Sequence, residues 1–170
     1  MSTGGITLDL GRLDAGETRQ EGTATCAIRD AAGDEERHNV RVSSTLEPLG
    51  RRVHVRCHIV GGAESKCHRC LKPFQRQVET RFEFVLQRGG TSPGDEVVVV
   101  AETALEFDLT PLVRESLILE EPIRVLCREQ CAGLCAQCGQ DRNEGSCDCA
   151  PPEDPRWDDL RRLSEKMKSR

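Results

Sequence analysis

Ten cysteines in 170 residues are the side chains of this sequence best equipped to do chemistry, and their spacing says which chemistry. Cys67-His68-Arg69-Cys70 puts two thiols on one tight turn, where both can bind a single tetrahedral ion. Cys135-Ala136-Gln137-Cys138-Gly139 repeats the CxxC spacing and adds a glycine suited to a close backbone wrap. With Cys127, Cys131, Cys147 and Cys149 the set reaches eight, enough for two four-thiolate sites. Closed sulfur tetrahedra favour zinc in a structural role, so one or two ions are expected. Proximity in sequence groups Cys135, Cys138, Cys147 and Cys149 as a local ribbon-like site. Cys67 and Cys70 are then left to meet Cys127 and Cys131, which would pin the first half of the chain to the second. Cys26 and Cys57 fall on apolar strand faces and read as small buried hydrophobes.

Other chemistries fit less well. Cys131, Cys135 and Cys138 have the CxxxCxxC spacing of a radical-SAM cluster, but that chemistry uses a barrel of about 200 residues, and this motif lies near the end of a short chain. A redox CxxC needs a neighbouring βαβ unit and a helix N-terminus, and neither is apparent around Cys67 and Cys70. No GxxxxGK[ST], GxGxxG, HExxH or GxSxG motif occurs, which argues against an enzyme and against a small-molecule substrate. His38, His54 and His58 sit among basic residues and are expected to be solvated. His68 could donate beside the knuckle or replace one of its cysteines. The nine acidic residues between positions 95 and 129, against three basic ones, read as a solvated face.

Charge is segregated along the chain. Between Arg37 and Arg88 there are 11 Lys and Arg against 4 Asp and Glu, a net +7, so the remainder carries −12 of the total −5. The basic stretch can meet an anionic partner while the acidic remainder limits indiscriminate binding. Arg52, Arg56, Arg69, Lys72 and Arg76 could contact phosphates, as of RNA, with an ordinary charged sheet face as the alternative; Phe74 alone offers a stacking surface in that turn. With 31% charged residues and a mean hydropathy of −0.52, no membrane span is expected. The N-terminal residues resemble neither a signal peptide nor a presequence, so the expected location is the cytoplasm, and zinc rather than disulfides accounts for the cysteines.

The elements that must position these residues form an α+β protein. Strands are expected over residues 6–10, 23–28, 39–46, 51–60 and 78–86, with a buried strand over 96–101. In the fourth, Val53, Val55, Cys57 and Ile59 face one way, and Arg52, His54, Arg56 and His58 the other. The Cys67–Cys70 turn would join the fourth and fifth strands as a hairpin. A central helix is expected from a Thr110 cap with Pro111 in its first position, ending before Pro122. A last helix, capped by Asp154, would align Trp157, Leu160, Leu163 and Met167. The expected domains are a β-rich region with the central helix over 1–126, a Cys-rich zinc-ribbon-like module over 127–150, and a linker with an amphipathic helix over 151–170.

The octapeptide from Cys67 to Phe74 (CHRCLKPF), the stretch from Asp108 to Glu115 (DLTPLVRE) and the segment from Cys131 to Gly139 (CAGLCAQCG) resemble the large ribosomal RNA subunit accumulation protein family, the YceD-like proteins. Asn143, Cys147, Cys149 and Asp154-Pro155-Arg156-Trp157 fit as well. The resemblance implies a bacterial, non-enzymatic factor needed for normal levels of large-subunit ribosomal RNA. Its expected partners are that RNA or a pre-ribosomal particle, with a ribosomal protein or assembly factor as the alternative. Some members of the family keep only the first knuckle, which implies a structural rather than a universal working role for zinc.

Overall fold

The computed structural model describes residues 5–13, 16–29, 33, 35–91, 97–150 and 154–168. It divides into two compact units, Met1–Cys131 and Ala132–Arg170. The first unit ends five residues beyond the expected boundary at 126, because Cys127 and Cys131 lie against the Cys67–Cys70 knuckle and belong to its packing.

The first unit is built on a five-stranded sheet in the order β2-β3-β4-β5-β6. Strands β2 (Thr18–Arg29), β3 (Glu35–Leu49), β4 (Arg52–Lys66) and β5 (Pro73–Arg88) are antiparallel neighbours, and β6 (Val97–Val100) runs parallel to β5. Alternation along β4 is as expected: Val53, Val55, Cys57 and Ile59 are buried, and Arg52 and Arg56 are exposed on the opposite face. The strands run longer than apolar content alone predicts. Gly61 and Gly62 look like punctuation, yet both stay in the ladder, opposite Val40 and Asn39 of β3. A Cβ at Gly61 would stand 2.2 Å from the Asn39 carbonyl oxygen, so only glycine lets these two backbones approach as they do. Strand β6 is a half-buried edge rather than a buried strand.

One face of the sheet is covered by β1 (Thr7–Asp9), paired with β7 (Glu106–Asp108), and by α1 (Thr110–Leu119). Ile6, Leu8 and Leu10 join Leu109, Val113 and Leu117 over the inner residues of β2 to β5 to make the main core. Thr110 does not cap α1 as expected. Its hydroxyl accepts the Ile6 N–H at 2.9 Å, and the Asp108 carboxylate accepts the Thr110 N–H at 2.9 Å in its place. The Thr110 hydroxyl and N–H both hold the Asp108 carboxyl below its usual pKa.

The second unit begins with turns. Among the described residues from 132 to 150 the only pairing is an isolated bridge between Leu134 and Asp141, so no strand-built ribbon is present. A 3₁₀ turn, Pro155–Trp157, then leads into α2 (Asp158–Lys168). Asp154 caps the turn as expected, accepting the Arg156 N–H at 3.0 Å. Trp157, Leu160, Leu163 and Met167 are all exposed.

Candidate metal centres

The two CxxC turns fold alike. In the first, the Leu71 N–H donates to the Cys67 carbonyl at 2.9 Å and the Cys67 N–H to the Lys72 carbonyl at 3.0 Å. In the second, Gly139 donates to Cys135 at 2.9 Å and Cys135 to Gln140 at 2.8 Å. Each turn reverses at the residue after its second cysteine, where φ is positive: +59° at Leu71 and +74° at Gly139. That conformation suits Gly139 and strains Leu71, which is half exposed and loses little if trimmed. Leu71→Gly is therefore expected to stabilise the protein by about 0.5–1 kcal/mol, read as a rise of a few degrees in a thermal melt.

The β4–β5 hairpin carries Cys67 and Cys70, and residues 121–131 bring Cys127 and Cys131 to it. The Cys67 and Cys131 sulfurs are 3.8 Å apart and those of Cys70 and Cys127 3.7 Å, with all four mutually within 4.8 Å. Tetrahedral sulfurs about 2.3 Å from a zinc ion stand about 3.8 Å from each other, so the donor set fits that ion. Phe74 and Leu126 shield it. His68 is not a ligand here. Its N–H donates to the Val125 carbonyl at 2.9 Å and its Nδ1 accepts the Val125 N–H at 3.4 Å, fixing the strap that carries Cys127.

Cys135, Cys138, Cys147 and Cys149 form the second cluster, again with sulfurs within 4.8 Å of one another. Asn143 organises it: its Oδ1 accepts the Ala132 N–H at 2.8 Å, and its own N–H and Nδ2 both donate to Asp141. The grouping of all eight cysteines is therefore the one expected from sequence, with one difference. The first four lie together in one unit, so that cluster closes the first unit upon itself.

Ionisation is uneven within each cluster. Burial raises the Cys67 thiol, but backbone N–H groups at Cys127, Cys70 and Arg69 outweigh it and bring the pKa down to about 6. Burial, then the neighbouring sulfurs, push Cys127 up to about 12. N–H groups at Cys138 and Gln137 lower Cys135 to about 6, while the Cys138 and Cys135 thiols, with burial, raise Cys149 to about 12. Each cluster thus holds one thiol that is lowered and another that is raised, and gathering four thiolates needs a cation among them. Cys26 and Cys57 stay apart from both clusters, buried, with burial raising their thiols.

The residues expected to meet RNA are placed differently from one another. Arg52 and Arg56 lie on the outer face of the sheet, but carboxylates interleave with them. Arg56 pairs with Glu47 and Glu17, His54 stands between Glu47 and Glu83, and His58 bonds Glu79 at 2.9 Å. Arg69 donates to the Cys131 carbonyl at 2.6 Å, and Lys72 is exposed on the hairpin. Arg76 departs from expectation. It shares the inward side of β5 with Val78 and is committed to Glu121, at 2.6 and 2.8 Å, and to Glu36, at 3.2 Å. His38 and Glu121 depart likewise: His38 is buried and the Glu121 side chain largely covered rather than solvated. Alternation carried the signal: His38 and Glu36 share the side of β3 occupied by Val40 and Val42.

Residues 55–164 match the family model described as "Large ribosomal RNA subunit accumulation protein YceD". A protein of Arabidopsis thaliana named "Large ribosomal RNA subunit accumulation protein YCED homolog 1, chloroplastic" is 33% identical over 66 residues, which cover 38% of this chain and 21% of that protein. "Uncharacterized protein YlbN" of Bacillus subtilis (strain 168) is 29% identical over 105 residues, 60% of either chain. The chain thus spans about a fifth and three fifths of the lengths of these relatives. No solved structure matches it.

Proposed function

This chain belongs to the YceD family of large ribosomal RNA subunit accumulation proteins, and on that premise we propose that it is a non-enzymatic factor supporting accumulation of large-subunit ribosomal RNA and large-subunit biogenesis in the cytoplasm. Two structural zinc ions complete it, one held by Cys67, Cys70, Cys127 and Cys131 and the other by Cys135, Cys138, Cys147 and Cys149, the latter in a compact Cys-rich module. The observation that carries this reading is the family match, which runs across both cysteine clusters. No helix among the described residues is long and apolar enough to cross a membrane.

RNA is met through phosphates, by Arg52 and Arg56 on the sheet's outer face and by Arg69 and Lys72 at the knuckle. Arg76 is left out because its guanidinium is engaged by Glu36 and Glu121. Replacing Arg52, Arg56 and Lys72 together by alanine is expected to weaken RNA binding and to flatten its logarithmic salt slope by about 2–3, since each phosphate contact contributes about 0.9. An unchanged slope defeats direct contact through these residues.

A second reading rests on α2. Trp157, Leu160, Leu163 and Met167 form an exposed apolar stripe, the kind of surface that docks a ribosomal protein or assembly factor. Crosslinking in cells separates the two. Large-subunit ribosomal RNA in the adduct supports the first, and protein-only adducts support the second.

A further inference from the structure

Apart from the cysteines, one cluster of potential ligands is buried in the first unit. Glu36 and His38 on β3 and Glu121 just after α1 each offer a donor atom, all within 4.8 Å of one another. Both ring nitrogens of His38 and the Oε1 of Glu36 are buried without a hydrogen-bond partner. His38 is fully enclosed, and an unpartnered polar side chain there is costly unless something fills the gap.

The distances suit an ion. His38 Nε2 lies 3.7 Å from Glu36 Oε2 and 3.8 Å from Glu121 Oε2, too far for hydrogen bonds. Donors bound at about 2.1 Å to a common metal stand about 3–4 Å apart, which brackets both separations. The carboxylates are already aimed. Ser65 Oγ donates to Glu36 Oε2 at 2.8 Å, and Arg76 grips both oxygens of Glu121 and reaches Glu36 Oε2. Such outer partners orient metal ligands, and the Oε1 of Glu36 is left free to bind.

Charge points the same way. Two largely enclosed carboxylates face the His38 ring, an arrangement that favours a cation between them. Burial, then the Arg76 charge, lowers the His38 pKa, which favours the neutral imidazole that ligates metals. Glu121 lies at the margin of the cluster, where it is only partly covered, and gives an ion its way in.

We propose that Glu36, His38 and Glu121 form a third divalent-cation site, of carboxylate–imidazole type, independent of the two thiolate clusters. Oxygen and imidazole donors accept Mn²⁺ as well as zinc, whereas thiolate sites prefer zinc, so Mn²⁺ is the discriminating probe.

The test uses the full chain with its resident metal, titrated with Mn²⁺ and followed by electron paramagnetic resonance and elemental analysis. The wild type is expected to carry one more tightly held metal than His38→Gln or Glu121→Gln. It is read as bound Mn²⁺ coupled to one imidazole nitrogen, or as one extra zinc if the site is already filled. Each variant should lose that equivalent, with at least a tenfold drop in Mn²⁺ affinity and an unchanged circular dichroism spectrum. Because the comparison is a difference, it stands whatever the cysteines hold. Should His38→Gln fail to fold, Glu121→Gln and the nitrogen coupling in the wild type decide. Equal metal content in wild type and variants, with no Mn²⁺ taken up, overturns the site and leaves the gap to a water or a proton.

Discussion

Cys67→Ser is expected to lower the melting temperature of the first unit by more than 10 °C and to remove one of two cysteine-bound metal equivalents. Structural zinc in small modules contributes about 10–16 kcal/mol of apparent folding free energy. The first unit has its own sheet core, so only part of that is lost. What comes free is the hairpin tip with residues 121–131, whose apolar cover is small: Phe74 and Leu126 around the sulfurs, and the buried Val125. Cys135→Ser should remove the other equivalent and leave the first unit's melting unchanged, because its cluster lies wholly within the second unit. Differential scanning calorimetry with elemental analysis reads both. The pH dependence has a fixed sign. Metal binding must displace protons from thiols such as Cys127 and Cys149, pushed up to about 12, so affinity falls as pH falls and loading releases protons. A cysteine variant that keeps its metal and its melting temperature would contradict the assignment.

The second large effect is expected at Arg76. Its guanidinium bonds both Glu36 and Glu121, with both carboxylates nearly out of solvent. Arg76→Met leaves two buried negative charges beside His38 with no guanidinium between them. Removing one partner of a buried ionic network costs about 3–5 kcal/mol. The same principle predicts recovery. Replacing Arg76, Glu36 and Glu121 together by methionine, glutamine and leucine should restore most of the loss, since a whole network exchanged for fitted side chains is close to neutral. Urea titrations of wild type, single and triple variants measure the difference. A single variant within 1 kcal/mol of wild type would show that the network contributes little.

How much was legible follows from what each residue's neighbours in sequence could say. The β4 face declared itself because Val53 to Ile59 alternate strictly with Arg52 to His58, and the knuckles because two cysteines three positions apart leave few other readings. Local grouping also found Cys135 with Cys138, Cys147 and Cys149. At His38 and Arg76 charge suggests an outward face while strand parity points inward. Each occupies an inward position in a strand whose apolar members point that way. Glu121 gave no local sign at all. Its burial depends on Arg76, 45 positions earlier, and only the long-range ladder brings them together. Thr110 reads as a cap until Ile6, just before β1, claims its hydroxyl from 104 residues away.

The two cysteine clusters differ in how much chain they enclose. Sulfurs of the first are contributed by positions 57 and 64 apart, while all four of the second fall between Cys135 and Cys149. Closing the larger loop is entropically dearer by only about 1 kcal/mol. The difference in timing is greater. During synthesis the knuckle at Cys67 emerges from the ribosome well before position 131 exists, and it must wait with two thiols exposed. The thiols of the later cluster emerge almost together, so the two clusters differ in how long their first cysteines stand without their partners.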